Sequence, residues 1–118
     1  MNVETLKKYC DSKKSSTNDF PFDNETLVYR IGSKIFALIR LNSNPLQVNL
    51  KCDPYMAQCL RFDYPSITPG YHMNKKYWNT LNIDGSLSDE FIEHLIDISY
   101  DVVFNSLAKR LQKEILET

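Results

Sequence analysis

Apolar and polar positions recur with a different period in each stretch of the chain, and the period assigns the elements. Val3, Leu6 and Cys10 follow helical spacing. A first helix is expected over residues 2–13, capped by Asn2, with Glu4 in its first turn and Lys13 and Lys14 at its C-terminal end. Residues 15–24 are polar and turn-rich, apart from Phe20-Pro21-Phe22, which is expected to plug the edge of the core. Residues 26–31 and 34–41 are rich in β-branched and aromatic side chains and read as two strands around Gly32-Ser33. Glycine at the first position suits a two-residue II′ turn, which would place Leu27, Tyr29, Ile31, Phe36 and Leu38 on one face. A three-residue loop would instead gather Arg30, Lys34 and Arg40, and the pattern leaves both registers open. The second strand is apolar on both faces, as a central strand is.

Leu46, Val48 and Leu50 alternate with Gln47, Asn49 and Lys51, the signature of a strand wet on one side. Asp53-Pro54 starts a helix reaching about Phe62, with Met56, Cys59 and Leu60 directed inward. Pro65 and Pro69 bracket a short extended piece, and Tyr71-His72-Met73 is expected to be extended as well. Asn74-Lys75-Lys76 is expected to turn, and residues 78–83 to form the last strand. Ser88 caps the final helix, with Asp89 and Glu90 at its positive end. On that helix Phe91, Leu95, Ile98 and Val102 form one row, and Ile92, Ile96, Ser99 and Val103 form the next. Leu107, Leu111 and Ile115 continue the stripe. The expected fold is α+β in one domain over residues 1–118. It has two layers in the order α-β-β-β-α-β-β-α, an antiparallel five-stranded sheet with its helices packed on one face.

Composition narrows the class. The chain has 118 residues, 42% of them hydrophobic and 25% charged, which suits one globular domain and argues against disorder. No apolar run reaches the roughly 18 residues of a membrane span, and the first residues lack the build of a signal peptide. The three cysteines, Cys10, Cys52 and Cys59, are dispersed and odd in number, so they read as free thiols and the expected compartment is the cytoplasm. Net charge is −1, but residues 77–108 carry six acids and neither lysine nor arginine. The remainder carries +5, a dipolar distribution that permits polyanion binding through one face.

Two basic segments stand out. Lys75, Lys76, Tyr77 and Trp78, with His72 upstream, combine cations for phosphates with flat rings for sugars or bases. Lys34 sits beside the first hairpin turn with Arg30 and Arg40 near it. The bland alternative is a soluble turn in each case, with Tyr77 and Trp78 facing inward. Glu90, Glu93, Asp97 and Asp101 form an acidic row on the last helix, more a solvated face than a cation site, because hard cations need converging carboxylates. Two histidines and three scattered cysteines match no zinc spacing, and Gly32, Gly70 and Gly85 form no phosphate loop. No catalytic residue, metal or cofactor is expected, and Asp84-Gly85-Ser86 reads as a structural turn.

The chain resembles the MmcQ/YjbR family over nearly its whole length. The resemblance rests on residues 29–37, on Asn49-Leu50-Lys51-Cys52-Asp53-Pro54, on residues 69–80, and on Asp84-Gly85-Ser86-Leu87-Ser88-Asp89 leading to Asp97-Ile98-Ser99-Tyr100. It implies a fold like that of secretion chaperones and frataxin, and DNA binding by two hairpin wings, here residues 30–36 and 72–80. Members often carry proline where Ser88 and Ala108 stand; without the second proline the last helix is expected to run on unbroken. The resulting expectation is a small, monomeric, non-enzymatic protein that binds double-stranded DNA. Lys34, Lys75 and Lys76 would meet phosphates, with Arg30, His72, Tyr77 and Trp78 in support. The alternative is a chaperone-like module that docks a protein or peptide on the acidic row or on an exposed sheet face.

Overall fold

Side-chain caps fix three helix starts, as the sequence pattern requires. In the computed structural model, which describes residues 1–70 and 73–118, Asn2 accepts the Thr5 N–H at 2.9 Å and opens α1 (Val3–Asp11). Asp53 accepts the N–H groups of Tyr55 and Met56 and opens α2 (Pro54–Asp63). Ser88 accepts the Phe91 N–H at 3.1 Å and opens α3 (Asp89–Asn105). The strands are β1 (Ser16–Asp19), β2 (Thr26–Ile31), β3 (Lys34–Arg40), β4 (Leu46–Lys51), β5 (Ile67–Pro69) and β6 (Trp78–Ile83). They pair antiparallel throughout, in the order β1-β2-β3-β4-β6-β5. The α+β class and the central place of β3 are as expected.

The sheet differs from expectation in having six strands rather than five. The added strand β1 reads Ser-Thr-Asn-Asp and has no apolar alternation; it is held by its ladder with β2, from Ser16 opposite Ile31 to Asp19 opposite Val28. Phe20 and Phe22 follow it at 46% and 68% exposure and so do not plug the core. The partner of β6 lies at residues 67–69, where Gly70 donates its N–H to Trp78 O at 2.8 Å. A Cβ on Gly70 would stand 2.8 Å from that of Trp78, so only glycine permits this approach. Tyr71 and His72 lie outside the described residues.

The final helix also breaks where continuity was expected, and α4 (Lys109–Leu116) follows after a turn at residues 106–108. The broken end is well satisfied. Gln112 donates to the carbonyls of Asn105 and Leu107, and Lys34 Nζ donates to Ser106 O and Oγ at 3.2 Å. The turn keeps Leu107 and Ile115 buried in the core, whereas a straight helix would carry them onward past the sheet.

The four helices of the described residues pack on one face of the sheet. Leu27, Tyr29, Ile31, Ala37, Ile39, Val48, Leu50 and Leu81 meet Leu6, Leu60, Ile92, Leu95 and Ile96 there. The hairpin turn has two residues, since Ile31 faces Lys34, and Gly32 takes φ 60° while Ser33 stays negative, as a II′ turn demands. Phe36 is then an extra residue: Tyr29 pairs with Ala37 and Arg30 with Ile35. This bulge keeps Phe36 in the main core but turns Leu38 to the opposite face, where it joins Val28 and Trp78.

Beyond the bulge the β3–β4 ladder ends, its last pair being Ala37 and Leu50. The next two backbone groups do not meet. Ser99 of α3 enters between them: its hydroxyl donates to Phe36 O at 2.5 Å and accepts the Lys51 N–H at 2.8 Å. Burial disfavours two thiolates, pushing the Cys10 thiol up to about 12 and the Cys52 thiol up to about 11. Cys59 is half-buried on α2. Between α1 and α3, burial opposes the charge on Asp97. Hydrogen bonds from Lys13 and Tyr9, both at 2.7 Å, nevertheless hold its carboxyl below the usual 3.8. Burial first and Asp97 second push Tyr9 up to about 12.

Ser99→Ala leaves a buried carbonyl and a buried N–H without partners, so urea unfolding should show a loss of about 2–3 kcal/mol. A loss under 0.5 kcal/mol would show that the strands close the gap themselves. Because Asp97 is depressed in the folded state, its contribution is present above 3.8 and lost as pH falls through the folded value. Asp97→Asn should cost about 0.5–1 kcal/mol at neutral pH, given its partial exposure. The gap between parent and variant should close in melts below pH 3.8. A gap independent of pH would locate the cost elsewhere.

Candidate nucleic-acid interface

The sheet brings both predicted wings to one end. The β2–β3 turn lies at the N-terminal end of β3, β4 finishes beside it at Lys51, and Lys51 pairs with Trp78 at the start of β6. The segment before Trp78 turns tightly, with Tyr77 and Trp78 donating their N–H groups to Asn74 O at 3.1 and 3.0 Å. The turn expected at Asn74-Lys75-Lys76 is therefore present, and both lysines are exposed.

The two wings differ in how their cations are used. In the first, Arg30 points away from the helices and pairs with Asp19 of β1 at 2.5 Å. Lys34 turns toward the helices and serves the carbonyl end of α3. The turn itself is seated on α4, for a Cβ at Gly32 would lie 3.0 Å from Leu111 and 3.3 Å from Leu107. The first wing is thus a fixed corner with its two cations engaged internally.

The second wing is joined by two residues that the sequence pattern did not single out. Lys51 Nζ lies 5.6 Å from the centre of the Tyr77 ring and 6.0 Å from that of Trp78, and Lys76 Nζ lies 5.6 Å from Tyr77. Two ammonium groups thus lie near the Tyr77 ring, each attracted by its quadrupole. Arg61 of α2 holds the same segment from the helix side. Its Nε donates to Asn79 Oδ1 at 2.6 Å, and its Nη2 donates to the carbonyls of Lys75 and Trp78. Neither residue was legible, because each belongs to an element distant in sequence. Trp78 is only 8% exposed and packs on Val28 and Leu38, so it anchors the loop and offers no open stacking face. Tyr77, half-buried, is the ring at the surface; His72 falls outside the described residues.

The sheet face opposite the helices continues from this end. It bears a hollow of about 370 Å³ bordered by Phe22 and Asp23, by Ile35, Leu38 and Arg40 of β3, and by Met73. Arg40 also borders two smaller polar depressions, shared with Gln47, Asn49 and Thr80 on one side and with Glu25 and Ser43 on the other. On the helical side the acidic row is partly spent, Asp97 being bound to Lys13 and Tyr9. Among the described residues no three His, Cys, Asp or Glu side chains converge as cation ligands, and no helix is long and apolar enough to cross a membrane.

Arg61→Met should loosen residues 74–78 without loosening β3 or β4. Hydrogen exchange of the Tyr77 and Trp78 amides should rise about tenfold or more, the scale of a lost charge-assisted bond. Unchanged exchange would show that Trp78 alone holds the segment.

Residues 11–102 match the family model described as YjbR. The chain is similar to the uncharacterised protein YjbR of Escherichia coli K12, at 30% identity over 99% of both chains. It is also similar to the uncharacterised protein YbdF of E. coli O157:H7, at 42% identity over 81% of this chain and 79% of that one. Among solved structures, a Deinococcus radiodurans protein with a DUF419 domain superposes with a TM-score of 0.91 at 38% identity, covering 97% of this chain and 87% of the other. The resemblance first carried by the glycine hairpin and the Pro69–Thr80 segment is therefore confirmed along the chain, which belongs to the YjbR family.

Proposed function

We propose that the chain is a non-enzymatic DNA-binding protein and that its contact surface is the second wing together with the end of β4. The observation that carries this reading is the placing of Lys51 and Lys76 beside Tyr77, with Lys75 exposed on the same turn, at one end of the sheet. Two ammonium groups on a tight turn, with a third at the end of β4, suit the phosphates of a duplex, and the half-buried ring of Tyr77 suits a sugar. The first wing acts as a rigid shoulder rather than a second gripping arm, since Arg30 and Lys34 already have partners. With so few cations, binding is weak, shape-led and nearly indifferent to base sequence.

Titration of a labelled random duplex across a salt series tests the reading. Three neutralised phosphates give a slope of about −2.7 in log K against log salt, a loss of roughly 40-fold between 50 and 200 mM. Lys75→Glu with Lys76→Glu should abolish binding at unchanged melting temperature, and Lys51→Glu should weaken it. Arg30→Glu should matter far less. Absence of saturable binding at low salt, or normal binding by the double variant, would overturn the proposal.

A further inference from the structure

The helix-free face carries a second opportunity that the basic end does not use. Its hollow, at about 370 Å³, falls within the roughly 300–1,000 Å³ of small-molecule sites. One wall is apolar, formed by Phe22, Ile35, Leu38 and Met73, and Arg40 stands at the border with the polar depressions. The polar groups beyond it satisfy one another. Thr80 donates to Asn49 at 2.5 Å, and Gln47 donates to Asn82 at 2.8 Å. Asp23 spends its carboxylate on the N–H groups of Glu25 and Thr26, which hold it below its ordinary range, the charge of Arg40 adding to this last. Among the described residues the Arg40 guanidinium donates no hydrogen bond and forms no salt bridge, acting on Asp23 only through its charge, so the hollow joins an apolar wall to a planar donor whose N–H groups are still to be matched.

We propose that this hollow binds a small amphipathic carboxylate, its head on Arg40 and its apolar body against Phe22, Ile35, Leu38 and Met73. A guanidinium fork matches a carboxylate with two parallel bonds, which a neutral head group cannot return. A neutral ligand of the same shape would strip water from the cation without replacing it. The volume admits a chain or ring of medium length and excludes a long acyl tail from full enclosure. The site is independent of the DNA reading, because Lys51, Lys75 and Lys76 do not border it.

Octanoate, octanol and inorganic phosphate, titrated into the full chain and followed by amide NMR shifts, provide the test. Octanoate should saturate at millimolar concentration and move the amides of Ile35, Leu38, Arg40 and Asn49, while octanol and phosphate bind more weakly. Arg40→Met should weaken octanoate by about tenfold or more and leave octanol unchanged. Lys75→Glu with Lys76→Glu should leave octanoate binding intact, which separates this site from the DNA surface. Four results would overturn the proposal. They are equal binding of octanoate and octanol, normal octanoate binding by Arg40→Met, shifts gathered instead around the exposed Tyr55 and Phe62 of α2, or saturation by a peptide with an apolar C-terminus where octanoate fails.

Discussion

A single buried hydroxyl decides how this sheet ends. Ser99 bridges Phe36 O and Lys51 N–H at the point where β3 and β4 stop pairing. Without a helix to supply that group, the two strands would have to continue their ladder or leave two polar atoms dry. With it they separate. β3 bends through its bulge into the first hairpin, and β4 stays beside β6, where the Cys52 backbone N–H donates to Tyr77 O at 2.9 Å. The end of the sheet is divided in two because α3 inserts a polar atom into it.

The division sorts the charges. On the β3 side, Arg30 and Lys34 are drawn into internal partnerships, one with the edge strand and one with a helix terminus. On the β4 side, Lys51 comes up beside the rings of Tyr77 and Trp78, and Arg61 ties down the carbonyls around them. An exposed ion pair contributes little energy, but it does lower the local positive charge that a phosphate would meet. Counting cations near a hairpin in sequence therefore overstates the first wing and understates the second.

What was legible in the sequence was what short-range chemistry fixes. Asn2, Asp53 and Ser88 announce their helices, and Gly32-Ser33 announces a hairpin turn whose two-residue register only the structure settles. The face assignment of Leu38 was hidden by the bulge, which no local pattern marks and which reverses parity after Phe36. β1 was hidden because an edge strand held by backbone bonds needs no apolar alternation, and its Ser-Thr-Asn-Asp reads as loop. The break before α4 was hidden because one partner, Lys34, lies far off on β3 and the other, the Gln112 side chain, carries no helix-stop pattern. The basic wing was found through its lysines and aromatic residues. Lys51 and Arg61 joined it only through tertiary contact, and Trp78, singled out as a stacking surface, proved to be the wing's buried anchor.

The distribution of the thiols has a practical side. Cys10 and Cys52 are enclosed and their thiolates strongly disfavoured, whereas Cys59 sits half-open on α2, the helix that sends Arg61 to the basic segment. An alkylating reagent therefore meets one partly exposed cysteine in an otherwise closed set. The native chain thus carries its own single attachment point for a dye or spin label, placed on the element that steadies the surface whose occupancy one would wish to watch.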